Sequence, residues 1–319
     1  MSHPGKARAL LATLRIANAP SVVSNVFLGY MLGSGLLRLR PDVHGLDFEA
    51  PVLIATAGLL LYFSGNLAND WFDRKWDEER RPERALPSGL FKPGSYLAGA
   101  LSCAAAGTAL AFFQGAACGI CALGILAFIS IYTRFHKVAI WSVLPMGLCR
   151  AGLYFLGATA FWSKAEAIGD AGYDPAKFLA GALLTLAIPA SGLLSYIAGL
   201  SLSARYEGMS DAPPGPRVVS KAMLIIPLIA MSCLFVADAG SPWIRVLGMA
   251  PFAVWLALCF THFAKPIPRY VSALLAGIPL VDLIAMAPLA WWAGKPWLAA
   301  LPFGAFVLGR ALQKLAPAT

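Results

Sequence analysis

About ten apolar runs, most of them near 20 residues long, follow one another from residue 14 to residue 313 with short polar breaks between them. A helix needs about 20 mostly apolar residues to cross the hydrocarbon core of a bilayer. Inside that core every backbone N–H and C=O must find a partner within the chain, which restricts runs of this kind to helices. The candidate spans are 14–36, 51–69, 95–114, 116–133, 139–162, 178–203, 220–238, 243–263, 270–293 and 297–313. The last three have the weakest boundaries, so the expected number of spans is nine or ten. The chain is therefore predicted to be all-α: a polytopic transmembrane bundle of about nine helices, with residues 1–319 forming one integral-membrane domain. Charged residues make up only 13% of the chain, about half of what soluble domains carry. The run after Arg15 is too long for a signal-peptide core and lacks a clear cleavage site, so it reads as a retained first span.

The net charge is +9. Nucleic-acid binding would need those charges gathered on one face. Here they sit in short loops, and they are unevenly shared between the two sides of the bundle. Of the 25 Lys and Arg, eighteen fall in the tails and in the loops after even-numbered spans, six fall in the other loops, and Arg150 lies inside a span. Cytoplasmic loops collect Lys and Arg. The tails and the loop after the second span are thus expected in the cytoplasm, and the membrane is expected to be a bacterial-type plasma membrane. The six cysteines all fall in apolar runs and read as small packing residues. Cys118 and Cys121 form a lone C-x-x-C with no second pair or histidine to complete a metal site.

The loop after the second span reads G-N-L-A-N-D-W-F-D-R-K-W-D-E-E-R-R-P-E-R-A-L-P-S-G, from Gly65 to Gly89. Asp70, Asp73 and Asp77 are spaced i, i+3, i+7, which places them on one face of a helix. Asn66 lies one turn earlier on that face. Three carboxylates side by side repel one another unless a cation intervenes. Ligands that offer only oxygen favour Mg²⁺ or Ca²⁺. Mg²⁺ commonly takes one or two carboxylates and completes its shell with water and phosphate oxygens. A diphosphate is then a natural third party, with Arg74, Lys75, Arg80, Arg81 and Arg84 supplying counter-charge.

The string N-D-W-F-D-R-K-W-D resembles the N-D-x-x-D-x-x-x-D pattern of the UbiA-superfamily intramembrane prenyltransferases, and E-R-A-L-P-S-G is similar to their N-R-P-L-P-S-G segment. The resemblance implies Mg²⁺ held on a prenyl diphosphate by Asp70, Asp73 and Asp77, with Asn69 orienting the site. It places Arg84 at the family's phosphate-side or acceptor-side arginine. Tyr132-Thr-Arg-Phe-His136-Lys137 is similar to the family's tyrosine and lysine–arginine pair at a helix end. His136 takes the lysine position and Lys137 the arginine position. Tyr132 would offer its ring face to an allyl cation, or else belong to an interfacial aromatic belt. Arg74 and Arg205 join Arg84 and Lys137 as candidate diphosphate ligands.

The family's second aspartate-rich motif, after the sixth span, has no counterpart here. Tyr196 to Asp211 reads Y-I-A-G-L-S-L-S-A-R-Y-E-G-M-S-D, which puts Ile197 and Ala204 where aspartates belong. Glu207 and Asp211 offer a displaced carboxylate pair as further metal candidates. This segment resembles a divergent branch of the superfamily, the EboC-type proteins. Two charges remain inside spans. Arg150 lies 13 residues after Lys137, and Asp282 lies 13 residues after Arg269, so both are expected at similar depth. An unpaired charge there costs about 2.5–3.5 kcal/mol, so they should face the interior and pair directly or through water. With Asn25, Asn66 and Tyr154 they are the candidates for an acceptor pocket. The expected activity is Mg²⁺-dependent transfer of a prenyl group to a lipophilic acceptor, aromatic by resemblance, among membrane lipids. The alternative is a non-catalytic isoprenoid-binding or assembly protein on the same fold.

Overall fold

The computed structural model describes residues 5–36, 49–167, 175–205, 214–233 and 242–316, and every regular element among them is helical. In chain order these are α1 (Lys6–Thr13), α2 (Ala19–Leu36), α3 (Glu49–Arg80), α4 (Pro93–Gln114), α5 (Ala116–Phe135) and α6 (Val143–Ala167). They continue with α7 (Pro175–Arg205), α8 (Pro214–Cys233), α9 (Pro242–Phe260), α10 (Ile267–Ala276), α11 (Ile278–Trp292) and α12 (Ala300–Leu312). Pro93, Pro175, Pro214 and Pro242 each open a helix, where a missing N–H sacrifices no bond. Among the described residues, seven helical segments are long and apolar enough to cross a membrane, with α10 and α11 together forming one of them. The three predicted spans with weak boundaries correspond to α9, α10–α11 and the shorter α12. Many large side chains face outward, Phe113 at 80% exposure and Val138 at 83% among them. Lipid is the solvent that suits such a surface.

Most helices pack against the next in sequence, and α2 returns to contact α11 and α12, which closes the bundle. Two helices serve as its spine. On one face α2 contributes Val22, Val26 and Tyr30 and α6 contributes Leu153, Leu156 and Ala160 to an apolar cluster shared with α3, α4 and α5. On the other, Phe27, Leu28 and Met31 meet Ala151, Tyr154 and Ala158 in a cluster shared with α7 to α11. The two helices approach closely because glycine lines the crossing. A Cβ on Gly29 would fall 2.2 Å from the Tyr154 carbonyl oxygen, and one on Gly157 would fall 2.1 Å from that of Val26. The Gly29–Gly33 spacing therefore serves helix packing as expected. Gly115 has a different role: its φ of 151° makes the turn between α4 and α5.

Several polar helix ends gather on one side. Arg8 donates to the Leu315 carbonyl, which ties the two tails together. Gln313 donates to the Ser272 carbonyl. His136 reaches Asp73, and Arg205 donates to the His136 carbonyl. The C-terminal ends of α3, α5 and α7 thus lie beside one another.

The two charges inside spans are both buried, Arg150 at 6% exposure and Asp282 at 0%. They form no direct ion pair. Asn25 joins them, donating from Nδ2 to both Asp282 oxygens at 2.9 Å and accepting at Oδ1 from Arg150 Nη1 at 3.3 Å. A side-chain amide stands where direct contact or a water was expected.

Candidate functional site

The α3 helix has 32 residues, about 48 Å at 1.5 Å per residue. That is longer than the hydrocarbon core, about 30 Å thick. Its apolar part ends near Leu67, and the last three turns carry Asn69, Asp70, Asp73 and Asp77 beyond it. The helix is continuous through Arg80, so the carboxylates share a face as their spacing predicts.

The segment after α3 folds back over that face. Leu86 buries itself against Leu67, Tyr96 and Ala100, and Gly89 ends the segment at φ 73°, a conformation glycine adopts without penalty. This anchoring brings the Arg84 Nη1 to 3.0 Å from Asp77 and 3.6 Å from Asp70. Asp73 is held from the other side by His136 at 3.1 Å and Lys137 at 2.8 Å. Asn69 donates to Asp73 at 3.3 Å. The Lys137 ammonium also sits 3.9 Å from the centre of the Trp76 ring.

Arg15 completes the cluster, and sequence reasoning counted it only as a loop charge. It lies between α1 and α2 in the left-handed region, φ 48° and ψ 49°, which is uncommon for a residue with a Cβ. Tyr62 donates to its carbonyl at 3.0 Å, and Asn66 donates to that of Leu14 at 3.0 Å. So held, its guanidinium reaches Asn66 at 3.1 Å and Asp70 at 4.0 Å. The available signal was a lone cation at the head of the first apolar run, just before Asn18 and Pro20.

Beneath these charges a mostly apolar cleft runs into the bundle between α3, α5 and α6. Arg15, Asn66, Asn69 and Tyr132 line its head, and Gly58, Leu61, Ile125 and Leu153 line its depth. Tyr132 stands beside His136, ring centres 5.1 Å apart.

Residues 26–269 match the UbiA prenyltransferase family. The chain belongs to that family. It is 29% identical over 264 residues to the digeranylgeranylglyceryl phosphate synthase of Halobacterium salinarum, covering 79% of this chain and 83% of that one. The synthase of Methanothrix thermoacetophila is 32% identical over 109 residues, which span 34% of this chain and only 38% of the relative. Among solved structures, a UbiA homolog from Archaeoglobus fulgidus bound to GPP and Mg2+ superposes with a TM-score of 0.54 at 16% identity, covering 94% and 99% of the two chains. At that identity the likeness concerns the fold.

Within this UbiA-family chain several expectations need correction. Asp70, Asp73 and Asp77 share a face, yet among the described residues no three His, Cys, Asp or Glu side chains converge tightly enough to cage a cation. Asp73 turns to α5, while Asp70 and Asp77 share Arg84. The donor set still suits Mg²⁺: it is all oxygen, and the buried Asn69 Oδ1 and Asp77 Oδ1 have no hydrogen-bond partner. A Mg²⁺ shell completed by water and phosphate needs only one or two of these carboxylates. Arg205 is not aimed at the carboxylates. Its guanidinium donates to the carbonyls of His136 at 2.7 Å, Ala139 at 3.1 Å and Lys137 at 3.4 Å, so it braces the α5–α6 turn. Arg74 folds back on its own helix, donating to the Trp71 carbonyl at 2.6 Å and stacking on that ring at 4.3 Å. Asn66 lines the cleft but spends its amide on the Leu14–Arg15 turn. Asn25, Tyr154 and Asp282 lie one layer behind the cleft, and of the inner polar group only Arg150 lines it. Glu207 and Asp211 lie outside the described residues.

Proposed function

We propose that this chain transfers a prenyl group from a prenyl diphosphate to an acceptor at the head of the α3–α5–α6 cleft, with Mg²⁺ as the metal, and that it does so as one membrane domain whose tails and aspartate-rich helix end face the cytoplasm. One observation carries the reading. Three carboxylates interleaved with Arg15, Arg84, His136 and Lys137 sit directly on top of a deep apolar cleft. A ligand with a polyanionic head and an apolar tail matches both halves. The GPP and Mg2+ bound to the structural relative from Archaeoglobus fulgidus support the same donor class.

Asp70, Asp73 and Asp77 are the residues that would hold Mg²⁺, with Asn69 orienting Asp73. Bound there, the ion would neutralise charge on the departing diphosphate. Arg84, Lys137 and Arg15 surround these carboxylates and would offer N–H donors to phosphate oxygens. When the C1–O bond breaks, its electron pair leaves with the diphosphate and the allyl group becomes cationic. The Tyr132 ring at the cleft head stabilises that charge. The acceptor's nucleophilic atom then bonds to C1, and its displaced proton passes to diphosphate or water. The family resemblance supports an aromatic acceptor, and the names of the matched relatives support a glyceryl phosphate.

A second reading, a non-catalytic isoprenoid-binding protein, draws on the apolar Ile197 and Ala204 and on the commitment of Arg205 to backbone carbonyls. One assay separates the two. Purified protein with Mg²⁺ and dimethylallyl, geranyl or geranylgeranyl diphosphate should release diphosphate, and EDTA should abolish the release. Asp73→Asn and Asp77→Asn should each lower the rate by about 10²–10³, the scale of losing one electrostatic stabiliser. Tight donor binding without release under any condition would decide for the second reading.

A further inference from the structure

Arg150 sits on α6, about ten ångströms deeper in the cleft than Asn69, at the level of Tyr62 one helical stretch down α3. Its guanidinium carbon lies 5.1 Å from the Tyr62 ring centre. The side chain is 94% buried by its 6% exposure, and it lines the cleft with Tyr62, Tyr132, Met146 and Cys149. An arginine carries five N–H donors. Here Nη1 serves Ser21 Oγ at 3.0 Å and Asn25 Oδ1 at 3.3 Å. The Nε and Nη2 donors have no partner among the described residues, and no carboxylate lies within ion-pair distance of the group.

The nearest carboxylate cannot swing over to it. Asp282 accepts from Ser24 Oγ at 2.5 Å, from Asn25 Nδ2 at both oxygens, and from Tyr154 Oη at 2.5 Å. That saturation fixes the Asn25 amide with Nδ2 toward Asp282, which leaves Oδ1 for Arg150. The guanidinium is thus pinned along one edge and presents its other edge to the cleft. A buried planar fork with free donors is matched in geometry and charge by a carboxylate or phosphate.

We propose that Arg150 is a specificity-determining residue that takes the anionic group of the acceptor, and that Asn25 and Asp282 are positioning residues acting through it. The proposal rests on the reaction proposed above, because it assigns that reaction's second substrate. An acceptor anchored at Arg150 would present a nucleophilic atom a few ångströms nearer the cleft head, where C1 of the donor lies beside its diphosphate. A phenol carboxylate and a glyceryl phosphate share this layout of an oxyanion at one end and a nucleophile at the other.

The test uses the full chain in nanodiscs and two matched pairs of probes. One pair is 4-hydroxybenzoate and its methyl ester. The other is a glyceryl phosphate bearing one geranylgeranyl chain and its dephosphorylated alcohol. Equilibrium binding is measured with geranyl diphosphate and Mg²⁺ present. At least one anion should bind tenfold or more tightly than its neutral partner, and the pair that shows this identifies the acceptor class. Arg150→Met should erase the preference, Arg150→Lys should retain part of it, and Asp282→Asn should weaken it without changing geranyl diphosphate binding. Equal binding of anion and neutral partner in both pairs, or a preference that survives in Arg150→Met, overturns the assignment. Slow Mg²⁺-dependent hydrolysis of geranyl diphosphate, which needs no acceptor, reports the donor site in the same samples. Its absence in the parent protein counts against the proposed reaction. Its presence alongside unaltered anion binding in Arg150→Met counts against Arg150 alone.

Discussion

Arg15 shows how a single side chain is placed at a cost. Left-handed backbone at a non-glycine residue costs of order 1–3 kcal/mol, and here Tyr62 and Asn66 hold it there through the carbonyls of Arg15 and Leu14. Arg15→Gly keeps the turn and removes the steric penalty. The variant should therefore melt at or above the parent temperature while its KM for prenyl diphosphate rises tenfold or more, read by thermal unfolding and diphosphate release on the same preparation. A drop in melting temperature with unchanged KM would make Arg15 a structural residue only. The aspartates were legible because their chemistry is local: the i, i+3, i+7 spacing fixes a shared face wherever the helix points. Arg15 was not legible in this way. Its partners Tyr62, Asn66 and Asp70 come from a different helix, and its strain is a property of φ and ψ that residue identity does not reveal. The same limit explains Arg205, whose basic side chain suggested phosphate until its carbonyl partners on the α5–α6 turn were visible.

At the scale of elements, Leu86 is the small anchor on which the placement of Arg84 depends. Leu86→Ala leaves a cavity beside Leu67 and Tyr96, a change that costs about 2–5 kcal/mol when fully buried, and releases the segment that carries Arg84. Its KM for prenyl diphosphate should rise while Leu86→Met restores it, since the methionine refills the space. The α2–α6 crossing gives a second test. Gly157→Ala places a Cβ against the Val26 carbonyl, whereas a Cβ on Gly124 meets nothing within 4 Å. Gly157→Ala should lose monodisperse protein on size-exclusion chromatography, and Gly124→Ala should behave as the parent. The spans themselves were readable because the bilayer dictates both their length and their helical form. The break of the ninth span at Gly277 was not. It reflects close approach, with a Cβ there falling 2.7 Å from the Tyr196 hydroxyl and 2.9 Å from the Trp255 ring, and such contacts leave no trace in hydropathy.

For the whole molecule, the gathering of the ends of α3, α5 and α7 on one side, with the tails tied to each other, makes topology testable at a few points. Single cysteines at Ser88 and Lys314, in a cysteine-free background, should react with an impermeant maleimide only in inside-out vesicles. Labelling of either from the outer face would reverse the proposed orientation. The buried link from Arg150 through Asn25 to Asp282 also bears on how the protein is made. Ser21 and Asn25 emerge from the ribosome first, Arg150 about 125 residues later, and Asp282 more than 130 residues after that. For the more than 130 residues of synthesis between them, then, α2 and α6 sit in the bilayer with a cation whose linked carboxylate has not yet been translated. Chains released before α11 should remain open to proteolysis between α2 and α6, and chains long enough to include Asp282 should resist it.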